Sequence, residues 1–155
     1  MAWNDSRFFL ATIEDILENT TAMDANSDVF KAALYDNTVT PDRNATAAST
    51  AYNAGTWAGG HVQDATSWPN VGRDLLSVTS GFAAGVYTFD AADTTSANST
   101  ATISGAYGCQ VYDDTITTPV ADQGWSFHYF GGSQSVTSGT FTVQWHPSGI
   151  VTFTA

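Results

Sequence analysis

Positive charge is scarce in this chain. Four side chains, Arg7, Lys31, Arg43 and Arg73, stand against fifteen Asp and Glu, and the formal net charge is −11. Holding a phosphate backbone takes clustered Lys and Arg, so no nucleic-acid partner is expected, and an anionic membrane surface would repel the chain for the same reason. Cysteine is nearly absent. Cys109 stands alone, which excludes an intrachain disulfide and leaves it the role of a small buried hydrophobe. No apolar run is long enough to cross a bilayer. The opening MAWNDSRFFLATIEDILENT does not read as a secretory signal, because Glu14, Asp15 and Glu18 interrupt it. Synthesis in a cytoplasm is expected, and the Asn-x-Ser/Thr triplets at Asn19, Asn44 and Asn98 read as ordinary loop residues.

Catalytic patterns are missing too. There is no G-x-S-x-G, no G-x-x-x-x-G-K-[ST], no dinucleotide-binding glycine spacing, and no paired-cysteine or H-E-x-x-H motif; His61, His128 and His146 are scattered. DANSD sets Asp24, Asn26 and Asp28 at alternate positions as a calcium loop would, but Val29 and Tyr35 stand where that loop needs Gly and Glu, so it reads as a solvated turn. The pairs Asp90/Asp93 and Asp113/Asp114 could supply an acid and a base for glycoside hydrolysis, yet both sit where strands end, which is where Asp serves turns. The expectation is no enzyme, no metal and no cofactor.

What is present is Thr, Ser, Asn and aromatics, with only 12% charged residues, a balance that suits strands better than solvated helices. From residue 6 to about residue 20 the spacing predicts a helix with Phe9, Ile13, Ile16 and Leu17 on one face and Asn4, Asp5 or Ser6 as cap; its stripe is read as core, with docking on a partner as the alternative. VFKAALYD reads as a strand with Phe30, Ala32 and Leu34 facing one way. Residues 44–70 read as a long ordered loop with one short helical turn near Ala47 to Tyr52. DLLSVTS, GVYTFDAAD, ATISGAYGCQVYDD, GWSFHYFGG, GTFTVQWH and GIVTFTA follow as strands, bounded by Gly, Pro, Asp or Ser. The fold class expected is mainly β, one domain over residues 1–155, a β-sandwich or curved antiparallel sheet with one N-terminal helix.

In GWSFHYFGG, alternation sets Trp125, Phe127 and Tyr129 on one face. Trp57 and Trp68, in the long loop, fit a core less easily and are taken as candidate interface anchors or sugar-stacking platforms, with simple packing of the loop as the commoner case for such residues. From Gln123 to Ala155 no residue is charged, whereas edge strands of monomers usually carry charge. The closing segment therefore reads as a hairpin built to lie inside a sheet or an assembly. The expected contact residues are Trp57, Trp68, Phe141, Trp145, Ile150 and Phe153.

The order of an early RFF helix, FKAALYD, FDAAD, YGCQVYDD, FHYFGG and the ending SGTFTVQWHPSGIVTF resembles a family of short structural proteins of tailed bacteriophages. The stretch from Trp57 to Asn70 is longer and richer in tryptophan than the family pattern. The resemblance implies a virion component present in many copies, without cofactor or catalytic residues. Decoration of the capsid as a cement protein, with the major capsid protein as partner and homo-oligomeric arrangement on the head, is the expected function. A tail-tube, tail-tip or fibre-associated subunit with tail partners is the first alternative, and a carbohydrate-binding module the second.

Overall fold

The computed structural model describes residues 3–155. In chain order it comprises β1 (Arg7–Phe8), α1 (Leu10–Leu17), β2 (Phe30–Tyr35), α2 (Ala47–Thr50), a 3-10 turn (Gly55–Ala58), β3 (His61–Val62), β4 (Arg73–Asp74), β5 (Thr79–Ala83), β6 (Val86–Asp90), β7 (Thr94–Thr95), β8 (Ala101–Asp113), β9 (Gly124–Gly139), β10 (Thr142–Val143) and β11 (Val151–Thr154). The protein is mainly β, antiparallel and sandwich-like, as its composition predicts.

The central sheet runs β1-β9-β8-β2-β3, with β4 also on β2. Strand β2 shows why both of its faces are buried. Phe30, Ala32 and Leu34 join one core cluster, while Ala33 and Tyr35 join a second on the opposite side, the period-2 division expected of a pleated strand. Over the first face lie two small sheets, β11-β6-β5 and β10-β7, which add Phe89, Val143, Ile150 and Val151 to that cluster. The second face is covered by loop and N-terminal residues: Trp3, Phe9, Val39 and Trp57 pack there with Tyr112 and Phe127. Cys109 is buried in the first cluster, a free thiol.

Four expectations about the elements need correction. The closing segment is not a hairpin. Thr142 and Val143 pair with Thr95 and Thr94, whereas Val151 to Thr154 pair with Phe89 to Val86, so β10 and β11 lie end to end along the β7–β6 path. Between them the chain bulges out through a turn closed by Gly149 N–H donating to His146 O (2.8 Å), around Pro147, which has no N–H to give a ladder.

Trp125 does not share a face with Phe127. Val111 pairs with Ser126 but Tyr112 with Gly124, leaving Trp125 as the extra residue of a β-bulge, a device that re-aims a side chain. Trp125 packs on Phe30 and Phe89, with ring centroids 5.1 and 5.0 Å apart, while Phe127 packs on Trp3 and Phe9 on the other side.

The helix is shorter than its sequence pattern. Residues 7 and 8 pair with β9 as a strand, Phe9 occupies the cap position without a side-chain bond, and Ser6 Oγ accepts the Tyr129 N–H instead. DLLSVTS likewise divides between β4 and β5, with Ser77 at φ 54° in the gap.

Gly72 marks the closest approach of loop to sheet. Its φ is +85°, and a Cβ there would lie 2.3 Å from Ala32 O. Gly72→Ala is expected to cost about 1–2 kcal/mol through strain at a left-handed position and displaced backbone, read as a lower urea midpoint at unchanged slope.

Candidate functional site

The six expected contact residues separate into two groups. Trp57 and Trp68 are fully buried. Trp57 sits among Trp3, Phe9, Tyr35 and Phe127, with ring centroids 5.0 to 6.3 Å away. Trp68 donates its indole N–H to Ala32 O (3.0 Å) and meets Phe141 edge to face. Both fill the core that the long loop builds on the sheet, which corrects their reading as interface anchors or sugar platforms. Phe141 and Ile150 are also buried, and Trp145 is half-buried, its indole N–H on Thr94 Oγ1 (3.1 Å). Phe153 alone of the six is exposed.

Phe153 leads to an apolar surface. Phe89 points into the core, so alternation along β6 places Tyr87 on the same inner face. Tyr87 pairs across to Phe82 on β5 and to Phe153 on β11, which sets Phe82, Tyr87 and Phe153 in one row. The row continues onto the central sheet: Phe153 meets Phe8 edge to face (5.2 Å), and Phe8 meets Trp125 (4.8 Å). Helix α1 forms the opposite wall with Ile13, Ile16 and Leu17, and the groove between them encloses about 390 Å³. The helix faces the interior with Phe9 and Thr12, the latter bonded to Gly124 O (2.6 Å), so its aliphatic stripe stays open. Leu17 is 80% exposed and Phe82 86%. Contiguous exposed apolar surface rimmed by polar residues marks an interaction site.

Two other places bear on chemistry. A wide polar cleft of about 690 Å³ lies among Asp36, Asn37, His61, Gln63 and Tyr107; Asp36 Oδ1 is taken up by the N–H and hydroxyl of Thr38 (2.8 and 2.5 Å), and His61 Nε2 lies 3.3 Å from the Tyr35 hydroxyl. Ser126 Oγ and His128 Nε2 are 2.8 Å apart, but Ser126 is fully buried and burial lowers the His128 imidazole to about 4. A nucleophile needs access to its substrate, so that contact is packing. Among the described residues no group of three His, Cys, Asp or Glu side chains could hold a metal ion, and no helix is long and apolar enough to cross a membrane.

Three of the four acidic residues are tied into the fold. Asp113 Oδ1 accepts the N–H groups of Thr115 and Ile116 in its own turn (2.8 and 3.3 Å), Asp93 Oδ1 accepts the distant Trp145 N–H (3.0 Å), and Asp114 pairs with Lys31 (2.7 Å). Asp24 and Asp28 likewise take up backbone N–H groups within their own turn.

Comparison with family models, curated proteins and solved structures finds no match. Phe8, Ile13, Ile16, Leu17, Tyr87 and Trp125 were absent from the contact residues expected from sequence. The available signal for the helix residues was the apolar stripe of α1, whose docking on a partner stood as the alternative to the core reading.

Proposed function

We propose that the chain is a structural subunit of a tailed-phage particle, a decoration protein that binds the assembled head and stabilises it. The observation that carries this is the apolar groove between α1 and the β11-β6-β5 sheet, in which exposed Ile16, Leu17 and Phe153 line a preformed depression and exposed Phe82 extends the row beyond Tyr87. Such a surface gains free energy by being covered. A subunit that binds only the assembled lattice stabilises that lattice by mass action, and many copies multiply the effect. The strong acidity keeps free copies apart until they reach the particle.

Cryo-electron microscopy of the virions that carry the protein tests this: density repeating over the head surface is expected, with the groove at the contact. Density confined to the tail would overturn it in favour of a tail-associated subunit, a reading supported by β11, an uncharged edge strand free to pair with a neighbour's sheet. Leu17→Asp combined with Phe82→Asp is expected to lower head occupancy about tenfold at sub-saturating protein, with the melting temperature unchanged because both side chains are exposed. Unchanged occupancy would take the groove out of the contact. The carbohydrate alternative loses Trp57 and Trp68, both interior, as stacking platforms.

A further inference from the structure

The segment from α1 to β2 ends in a tight turn, Asp24 to Asp28. Asp28 N–H donates to Asp24 O (3.0 Å), and Asp24 N–H donates to Asp28 Oδ2 (2.5 Å). Past the turn, Val29 N–H donates to Thr115 Oγ1 and Asp114 N–H to Val29 O, both at 2.8 Å. Asn26 and Asp28 tie the turn itself to the body. Asn26 Oδ1 accepts the Ser80 hydroxyl of β5 (2.7 Å), and the Asp28 carboxyl meets that of Asp113 at the end of β8.

The second tie joins two acids. Asp113 is fully buried; its Oδ1 is taken by the N–H groups of Thr115 and Ile116, while its Oδ2 receives no N–H or hydroxyl. Two carboxyl groups in contact attract only with a proton between them, and without it they are like charges away from water. No cation offsets them. Lys31 lies on the opposite face of β2, since it pairs with Tyr112 whereas Phe30 pairs with Asp113, and its ammonium is held by Asp114 (2.7 Å) and Asp74 (4.0 Å), with Asp122 beside that group. Arg73 of β4 reaches away to Thr95 O (3.3 Å). Gln123, whose carbonyl accepts Asp113 N–H, is neutral, β5 has no titratable side chain, and Asp90 of β6 points to the face opposite buried Phe89. The turn adds the Asp24 carboxylate, which the Asn26 N–H holds below the usual range.

We propose that the Asp28–Asp113 contact is a proton-operated latch: while a proton lies between the two carboxyls the Asp24 to Asp28 turn stays seated on the end of β8, and loss of that proton releases the turn and, through Asn26 and Ser80, loosens β5. Asp113 is the fixed half, clamped by its strand and its own turn; half-buried Asp28 is the half that moves. Burial first, then the Asp28 carboxyl, raises Asp113 to about 7, which sets the release in the neutral range. Opening admits water to Asp113 and returns it to ordinary carboxyl behaviour, so opening becomes about tenfold easier per pH unit between about pH 4 and 7 and no easier above. Since β5 carries Phe82, the latch sets how firmly that end of the apolar row is held. It does not depend on what the groove contacts.

Hydrogen exchange of the full-length protein between pH 5 and 8.5, corrected for the intrinsic rate at each pH, tests the latch. The Asp24 and Val29 amides are expected to exchange faster than those of Ala32 to Leu34 throughout, and to speed about tenfold per unit up to about pH 7 before levelling off. In Asp113→Asn their corrected rate should stay flat across the range. In Asp28→Asn the turn should stay shut above pH 7, at least about tenfold slower than wild type, because the amide can donate to an ionised Asp113. Wild-type protection that ignores pH, a slope that survives Asp113→Asn, or an Asp28→Asn turn that opens like wild type would overturn the proposal. So would exchange of the turn only in step with Ala32 to Leu34, which would mean that Asp113 answers to global unfolding alone.

Discussion

Trp57→Ala is expected to lower folding stability by about 3–5 kcal/mol, the cost of emptying a large aromatic site in a packed core. Trp57 is fully buried and touches Trp3, Phe9, Tyr35 and Phe127, so its removal strips the centre from the cluster that joins the N-terminal segment and the long loop to the central sheet. Domains hold only about 5–15 kcal/mol in total, and a loss of this size shifts the melting temperature by roughly 10 °C at this chain length. Urea unfolding followed by far-ultraviolet circular dichroism checks it. Trp57→Phe should cost much less, about 1 kcal/mol, because the indole Nε1 makes no hydrogen bond. A surface anchor would behave in the opposite way, losing binding while the unfolding midpoint stayed in place.

Asp113→Asn is expected to stabilise the protein at neutral pH, on the order of 2–4 kcal/mol. Asp113 is fully buried at the end of β8, and burial first, then the neighbouring Asp28 carboxyl, raises its pKa to about 7. A carboxyl raised in the folded state makes its full contribution while protonated in both states, below about pH 4. As pH climbs from there the unfolded chain releases the proton first, so stability falls until about pH 7, where the folded carboxyl ionises too, and the loss is complete above that. Asn keeps an oxygen for the Thr115 and Ile116 N–H groups and presents its amide toward Asp28, as the protonated acid does. The difference in unfolding free energy between variant and wild type should therefore widen from about pH 4 to 7 and level off above. A difference that stays flat across that range would mean that Asp113 titrates as an ordinary carboxyl.

The sequence made the fold class legible because the alternation in FKAALYD and the turn residues between strands are local signals. Phe30, Ala32 and Leu34 fall on one face, as their spacing requires. Pairing was not legible in the same way. Nothing local to GTFTVQWHPSGIVTFTA shows that its halves align along β7 and β6 instead of folding back on each other, since that depends on which distant strands offer partners. The bulge at Trp125 is of the same kind: it exists only as a mismatch with the register of β8. For the site, tryptophan in a loop suggested exposure, but a loop laid over a sheet face has a core of its own. Of the stripe Phe9, Ile13, Ile16 and Leu17, read as core, Phe9 is buried as its place predicts, whereas Ile16 and Leu17 are exposed because the helix turns Thr12 inward beside Phe9. The periodicity of a helix fixes that it has an apolar side; which side meets the body is decided by its neighbours.

Strand β2 is bonded to β8 along its length on one side and to β3 and β4 on the other, with side chains buried on both faces. No small local opening can bring its amides to water. Their deuterium uptake must wait for the whole molecule to unfold, so the protection of Ala32 to Leu34 reports global stability directly, while amides of the exposed β5 strand exchange through their own fraying. A partner covering the Phe82 row would slow the second set far more than the first, which turns a single exchange experiment into a map of what has been covered.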